Sequence, residues 1–176
     1  MRTLSLMRHG EASPVAPDSS DHDRKLAERG RVDAASAAAR ITALAHPPSL
    51  VLCSSARRAV ASLDAMRAAL LEDVEVEIMR GLYLAGSDEL LAAIHAADER
   101  HASLLVVGHN PGIGWLARSL AHPGPGAEGA VQRLSRSFPT GALIVLDFDA
   151  VRWRDIAPRS GVVSLLTMPG ETPSRR

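Results

Sequence analysis

Three polar clusters in this chain each follow a short apolar run, and together they hold its reactive side chains. Arg8-His9-Gly10-Glu11 follows Leu4-Ser5-Leu6-Met7, Ser54-Ser55-Ala56-Arg57-Arg58 follows Leu50-Val51-Leu52-Cys53, and His109-Asn110 follows Leu104-Leu105-Val106-Val107-Gly108. Runs of this length read as buried strands. In an open α/β sheet, ligands bind beyond the carboxyl ends of the parallel strands. If the three runs are parallel, one sheet edge gathers two imidazoles, at least two guanidiniums and the N-termini of two helices. Guanidiniums offer forked hydrogen bonds, and helix N-termini carry unpaired N–H groups with partial positive charge. That combination suits a dianionic tetrahedral group, which is to say phosphate.

A histidine in such a setting can be a nucleophile. A cation about 4 Å away contributes on the order of 4 kcal/mol at an effective dielectric near 20. Arg8 and Arg58 are therefore expected to hold one imidazole neutral, with the lone pair needed to attack phosphorus. The second imidazole, nearer the arriving dianion, can be charged and stabilise the equatorial oxygens as charge shifts. This chemistry requires no metal and no cofactor.

The elements that must position these groups can be read in order. A polar loop runs from Ser13 to Asp23, and a helix is expected from Glu28 to Leu44, with Val32, Ala35, Ala39 and Leu44 on its packing face. Ser54 or Ser55 can cap a second helix reaching about Leu71. Val74 to Met79 alternates like a strand with one wetter face, and Ser87 can cap a third helix through Asp98. Asn110 and Pro111 suit the cap and first position of a fourth. A Pro/Gly-rich loop spans His122 to about Ser137. Ala142 to Phe148 and Val151 to Ile156 read as strands joined at Asp149-Ala150, with Gly161 to Leu166 as a further candidate. Strands alternating with helices predict a three-layer α/β/α sandwich, its central sheet mostly parallel with an antiparallel strand. Residues 1–168 are expected to form one domain, followed by a flexible tail at 169–176.

Composition excludes several classes. At 176 residues the chain is the size of one domain with a full core. Lys+Arg and Asp+Glu are equal at 20 each, which gives no electrostatic reason to expect a nucleic-acid partner. Of those cations only Lys25 is a lysine. The single cysteine, Cys53, rules out an internal disulfide and suits a reducing cytoplasm. No apolar run is long enough to span a membrane.

The Arg8-His9-Gly10-Glu11 tetrad resembles the signature of the histidine phosphatase superfamily, the phosphoglycerate mutase-like fold. The remainder is similar to its small SixA-type branch of phosphohistidine phosphatases. Asp21-His22-Asp23-Arg24-Lys25-Leu26-Ala27-Glu28-Arg29-Gly30 resembles that branch's Asp-x-x-Arg-Pro-Leu-Thr-x-x-Gly segment. Ser54-Ser55-Ala56-Arg57-Arg58-Ala59 resembles its Ser-Pro-x-x-Arg-Ala segment, and Leu82-Tyr83, Val107 to Pro111 and Phe138 to Ala142 also fit. The resemblance implies that His9 is the nucleophile and that Arg8, Arg58 (not Arg57) and His109 complete the phosphate pocket. Gly10, Glu11, Ser54 and Asn110 are assigned to substrate binding beside them. Lys25, Ala27 and Ser55 depart from the pattern without removing a pocket residue.

One departure bears on the substrate. Larger members of the superfamily carry a Glu after the third strand to protonate a departing alkoxide. Here that stretch is Leu82-Tyr83-Leu84-Ala85-Gly86, with no carboxylate before Asp88 and Glu89. An alkoxide needs an acid to leave, whereas imidazole protonates near neutral pH and leaves a P–N bond readily. The expected activity is therefore hydrolysis of phosphohistidine on a protein through a phosphohistidine enzyme intermediate. A small-molecule phosphomonoesterase and a non-catalytic phospho-ligand binder are the alternatives. His22, His46, His95, His101 and His122 read as ordinary surface or loop residues, and Trp115 and Trp153 as packing residues. Cys53 reads as a small buried hydrophobe, because only four residues separate it from Arg58. Glu11 is expected either to support Arg8 or to be solvated.

Overall fold

The computed structural model describes residues 1–70, 72–125 and 127–171. Strands β1 (Arg2–Arg8), β2 (Leu50–Ser54), β3 (Glu75–Met79), β4 (Ser103–Gly108), β5 (Ala121–His122), β6 (Leu143–Phe148) and β7 (Gly161–Thr167) form one sheet in the order β3-β2-β4-β1-β6-β7-β5. The pairs β2–β3, β2–β4, β1–β4 and β5–β7 are parallel. Strand β6 runs antiparallel to both of its neighbours. Among the described residues, five α-helices accompany the sheet: α1 (Glu28–Thr42), α2 (Arg57–Met66), α3 (Ser87–His95), α4 (Gly112–Leu120) and α5 (Glu128–Arg136).

Period-two alternation sorts the strand side chains between two cores. Leu4, Leu6, Leu50, Leu52, Leu104, Val106, Ile144 and Leu146 pack with α3, α4 and Leu134 of α5. Met7, Val51, Cys53, Leu105, Val107 and Leu143 pack with α1 and α2 on the opposite face. Because β1, β2 and β4 are covered on both faces, they read as continuous apolar runs. Strand β3 lies at the sheet edge with Ile78 about half exposed. The expected three-layer sandwich is the observed architecture. No helix among the described residues is long and apolar enough to cross a membrane.

Several local expectations fail for identifiable reasons. Val151 to Ile156 is not a strand. Val151 is exposed, and Trp153–Asp155 forms a 3-10 turn whose Trp153 N–H reaches the Glu99 carboxylate while its indole N–H donates to the His101 carbonyl. The partner of β6 is β7 instead. The segment from His122 to Ser137 contains α5, which its flanking prolines and glycines conceal and which buries only Leu134. On α1 the buried stripe is Ala34, Ala37, Ala38 and Ile41, leaving Val32, Ala35 and Ala39 exposed. Neither Ser54 nor Ser55 caps α2, whose cap is Ala56, and Ser87 is the first residue of α3 behind Gly86. Pro111 occupies the cap position of α4, joined to Asn110 by a cis peptide bond. Leu71 and residues 172–176, part of the expected tail, lie outside the described residues.

Candidate active site

Strand register alone places the two imidazoles side by side. Arg8 of β1 is paired with Gly108 of β4, so the next residues, His9 and His109, leave the sheet abreast. The His9 N–H donates to the Gly108 carbonyl (3.1 Å), and the two rings stand 4.9 Å apart at a 57° tilt. On the other side of β4, Ser54 ends β2 and reaches His109 Nε2 with its hydroxyl (2.7 Å). Ser54 Oγ also accepts the Ala56 N–H (3.3 Å), and Ser55 Oγ is bonded to His22 Nε2 (2.9 Å), while the helix starts past both serines, behind Ala56.

Hydrogen bonds fix what each ring presents. His9 Nδ1–H donates to the Gly10 carbonyl (2.7 Å), leaving Nε2 as an acceptor, which receives Arg58 Nε–H (3.1 Å). His109 accepts from Arg58 at Nδ1 (3.3 Å) and donates from Nε2 to Ser54. Arg58, in the first turn of α2 and 3% exposed, thus touches both rings. Its other donors go to the Asp21 carbonyl (2.6 Å) and the Asp21 carboxylate (3.1 Å). Asp21 also accepts from Tyr83 Oη (2.8 Å) and Arg24 (3.3 Å).

These side chains border a cavity of about 410 Å³ lined by Arg8, His9, Glu11, Ala12, Asp21, Arg24, Arg58, Leu84, His109, Asn110 and Thr140. Arg8 donates to the Phe138 carbonyl (3.2 Å), while its buried Nε has no hydrogen-bond partner among the described residues. Asn110 donates to the same carbonyl (2.8 Å). The turn carrying Phe138 and Thr140 is tied down by Gly141, whose φ of 81° suits only glycine and whose N–H reaches the carbonyls of Arg8 and His9.

The sequence-predicted residues separate into two groups. Arg8, His9, Arg58, His109, Glu11 and Asn110 meet at the cavity. Ser54 is fully buried behind His109, and Gly10 stands behind His9, where its N–H donates to Ser62 Oγ (2.9 Å). Gly10 does not serve a left-handed turn. A Cβ there would lie 2.3 Å from the Gly30 carbonyl oxygen, so glycine is required for close backbone approach. Glu11 does not support Arg8; its carboxylate lies 3.9 Å from Arg29 at the surface. Of the first turns of α2 and α4, only Arg58 lines the cavity, so the expected helix N–H groups form no part of its wall.

Asp21, Arg24, Tyr83, Leu84 and Thr140 were not singled out as site residues. Asp21 and Arg24 could have been found, because both stand at the two defined ends of the Asp-x-x-Arg segment. His22 borders the site through Tyr83, edge-on at 4.9 Å. His101 is buried against Ser49 and Arg100, and Trp115 is mostly exposed rather than packed. Burial pushes the Cys53 thiol up to about 12, consistent with an inert hydrophobe.

Both imidazoles are neutral in the free site. Burial, followed by the charges of Arg58, Arg8 and Arg24, brings His9 down to about 4 despite the opposing bond to Gly10. Burial, then His9 and Arg58, brings His109 down to about 3. A charge on His109 would therefore have to come with an arriving anion. Depressed folded values mean that the unfolded chain binds more protons below the ordinary histidine range, so stability rises with pH across this window. Stability is expected to be complete above about pH 6.5 and to fall by on the order of 2 kcal/mol per ring by about pH 5. Urea denaturation at the two pH values measures this, and equal midpoints would contradict it.

Residues 4–83 match the family model of the histidine phosphatase superfamily (branch 1). A protein of Mycobacterium leprae is 32% identical over 166 residues, spanning 93% of this chain and 99% of its own length. The SixA protein of Nakamurella multipartitia has the same fold with a TM-score of 0.82 and 30% identity, covering 97% of each chain. The protein histidine phosphatase SixA in complex with tungstate superposes with a TM-score of 0.69 at 25% identity, over 95% of this chain and 97% of that one. With sequence, fold and two adjoining imidazoles in agreement, this chain belongs to the histidine phosphatase superfamily, in its SixA-type branch of phosphatases.

Proposed function

We propose that the chain hydrolyses phosphohistidine on a protein, with His9 Nε2 as the phosphoryl acceptor. The observation that carries this reading is the tautomer of His9: Nδ1–H is fixed on the Gly10 carbonyl, so the lone pair stands on Nε2 in a cavity bordered by three guanidiniums. Arg8, with its unpartnered Nε–H, and Arg58 would hold the phosphoryl oxygens. His109 would take up a proton at Nδ1 as the dianion arrives and stabilise the transferring group. The tungstate bound to the related SixA is a tetrahedral oxyanion, as phosphate is.

The choice of a P–N bond follows from the acids that the cavity lacks. Neither Asp88 nor Glu89 lines it. Asp21 does, but the Tyr83 hydroxyl, Arg24 and Arg58 hold its carboxyl below the usual carboxylate range, so it is charged and has no proton to give. Glu11, the other lining carboxylate, is exposed at the mouth beside Arg29 (3.9 Å). An alkoxide without a positioned acid is a poor leaving group, whereas a phosphohistidine ring can leave with a proton of its own.

The test is a comparison of kcat/KM on a phosphohistidine peptide and on an alkyl phosphate. The peptide is expected to be favoured by at least about a thousandfold, given the usual contribution of general acid catalysis. Separate Asp88→Asn and Glu89→Gln variants are expected to leave both rates in place. Comparable turnover of the ester, lost with either substitution, would replace this reading with a phosphomonoesterase.

A further inference from the structure

We propose that two side chains at the mouth of the cavity, Leu84 and Glu11, recognise the imidazole ring of the phosphohistidine substrate, Leu84 against the ring face and Glu11 accepting its outer N–H. This rests on the phosphohistidine reading above and assigns the part of the substrate that the phosphate pocket does not hold.

His9 is 7% exposed at the cavity floor, and in-line attack from the floor expels the leaving group toward the opening. Among the lining residues, Glu11 and Leu84 are the most exposed, with about half of each side chain open, and the Asp21 carboxylate, the next, is tied to Arg58, Arg24 and Tyr83. One offers a carboxylate and the other an apolar surface. A flat ring with apolar faces and a polar N–H edge matches that pair, whereas an alkyl ester has no edge donor for the carboxylate.

Leu84 is also held there at a cost. Its φ is 53°, a left-handed conformation uncommon for leucine. Such strain persists where the surroundings dictate the backbone, and it concentrates at ligand-contacting positions. The surroundings here are specific. Tyr83 is anchored on Asp21, and the Ala85 carbonyl lies against Gly112 at the start of α4, where a Cβ would come within 2.0 Å of it. The loop is clamped on both sides, and Leu84 is the residue turned to the cavity mouth.

Glu11 stands beside other charged groups. Arg29 lies 3.9 Å away, Asp33 on α1 feels its charge, and Arg8, Arg24, Arg58, Asp21 and the two neutral imidazoles share the cavity. Asp21 is committed to Arg58, Arg24 and Tyr83, whereas Glu11 has only the exposed contact with Arg29. A carboxylate at the mouth favours the phosphohistidine ring protonated on the nitrogen that does not carry phosphorus. His9 Nε2 then bonds to phosphorus as the P–N bond breaks. The electron pair returns to the substrate nitrogen, and neutral imidazole departs with the proton it already carried. The protein supplies no acid.

The test uses the full chain and two P–N substrates, a phosphohistidine peptide and phosphoramidate, which has the same bond but no ring. Leu84→Asn keeps a side chain tolerant of positive φ, and Leu84→Gly relieves the backbone, so neither is expected to lower Tm. Both are expected to cut the preference for phosphohistidine over phosphoramidate about tenfold, the scale of a lost apolar contact. Glu11→Gln is expected to move the alkaline limb of the phosphohistidine pH profile down by about half a unit to one unit. An equal effect on the two substrates, or an unmoved limb, would overturn the assignment while leaving the phosphohistidine activity standing. A wild-type protein that turns over neither P–N substrate overturns the underlying reading itself.

Discussion

Replacing His9 with alanine is expected to lower kcat/KM on phosphohistidine by at least about 10⁴-fold, the usual scale for removing a covalent nucleophile. Rapid acid-free quenching with ³²P-labelled substrate should trap label on the wild-type chain that is released by acid and survives alkali. The variant should trap none. The effect is large because no second group can substitute. His109 Nδ1 faces Arg58, and its Nε2–H is committed to Ser54, so the neighbouring ring points a donor away from the cavity. The substitution is not expected to unfold the chain, since it removes a buried ring that resists protonation. Its stability should fall less steeply between about pH 6.5 and 5 than that of the wild type. Wild-type turnover with no trapped label would point to direct attack by water, and a binder would show neither label nor turnover.

Arg58 carries the second large expectation. Its guanidinium contacts His9 Nε2, His109 Nδ1, the Asp21 carbonyl and the Asp21 carboxylate from one planar group. Lysine offers a point charge and cannot reproduce that fork. Both Arg58→Lys and Arg58→Met are therefore expected to lose about 10²- to 10³-fold in kcat/KM, with lysine recovering little, on the scale of one lost transition-state donor. The methionine variant carries a further signature. Arg58 is among the charges that depress both histidines, so its loss lets the rings protonate more readily and makes the acid-side loss of stability shallower. A variant that folds, retains wild-type kcat/KM and keeps the wild-type pH dependence would remove Arg58 from the site.

What the sequence made legible was the arrangement of strand ends. Three apolar runs, each followed by polar side chains, imply neighbouring parallel strands, and the Arg8–Gly108 register turns that implication into adjacent imidazoles. Less legible were features that depend on contrast or on distant partners. Helix α1 is so rich in alanine that its buried side cannot be distinguished by pattern, and Ile41 settles it through packing. Helix α5 hides behind a Pro/Gly-rich approach and buries a single leucine. Trp153 alternates with its neighbours like a strand residue, but its partners are Glu99 and His101, some fifty positions earlier. Asp21 sits in a loop of many aspartates and serines, and only the fold reveals that it meets Arg58 and Tyr83. Leu84 carries no sequence mark of its backbone conformation.

The bond from Arg58 to Nε2 of His9 has a consequence for the resting protein. The electron pair proposed to attack phosphorus is engaged here by a guanidinium hydrogen, which blunts the ring as a nucleophile. On the proposed reading, a phosphoryl dianion would compete for that same guanidinium and in winning it would uncover the pair. Recognition and arming become a single event, so an uncharged electrophile entering the cleft meets a nucleophile that is still sheathed.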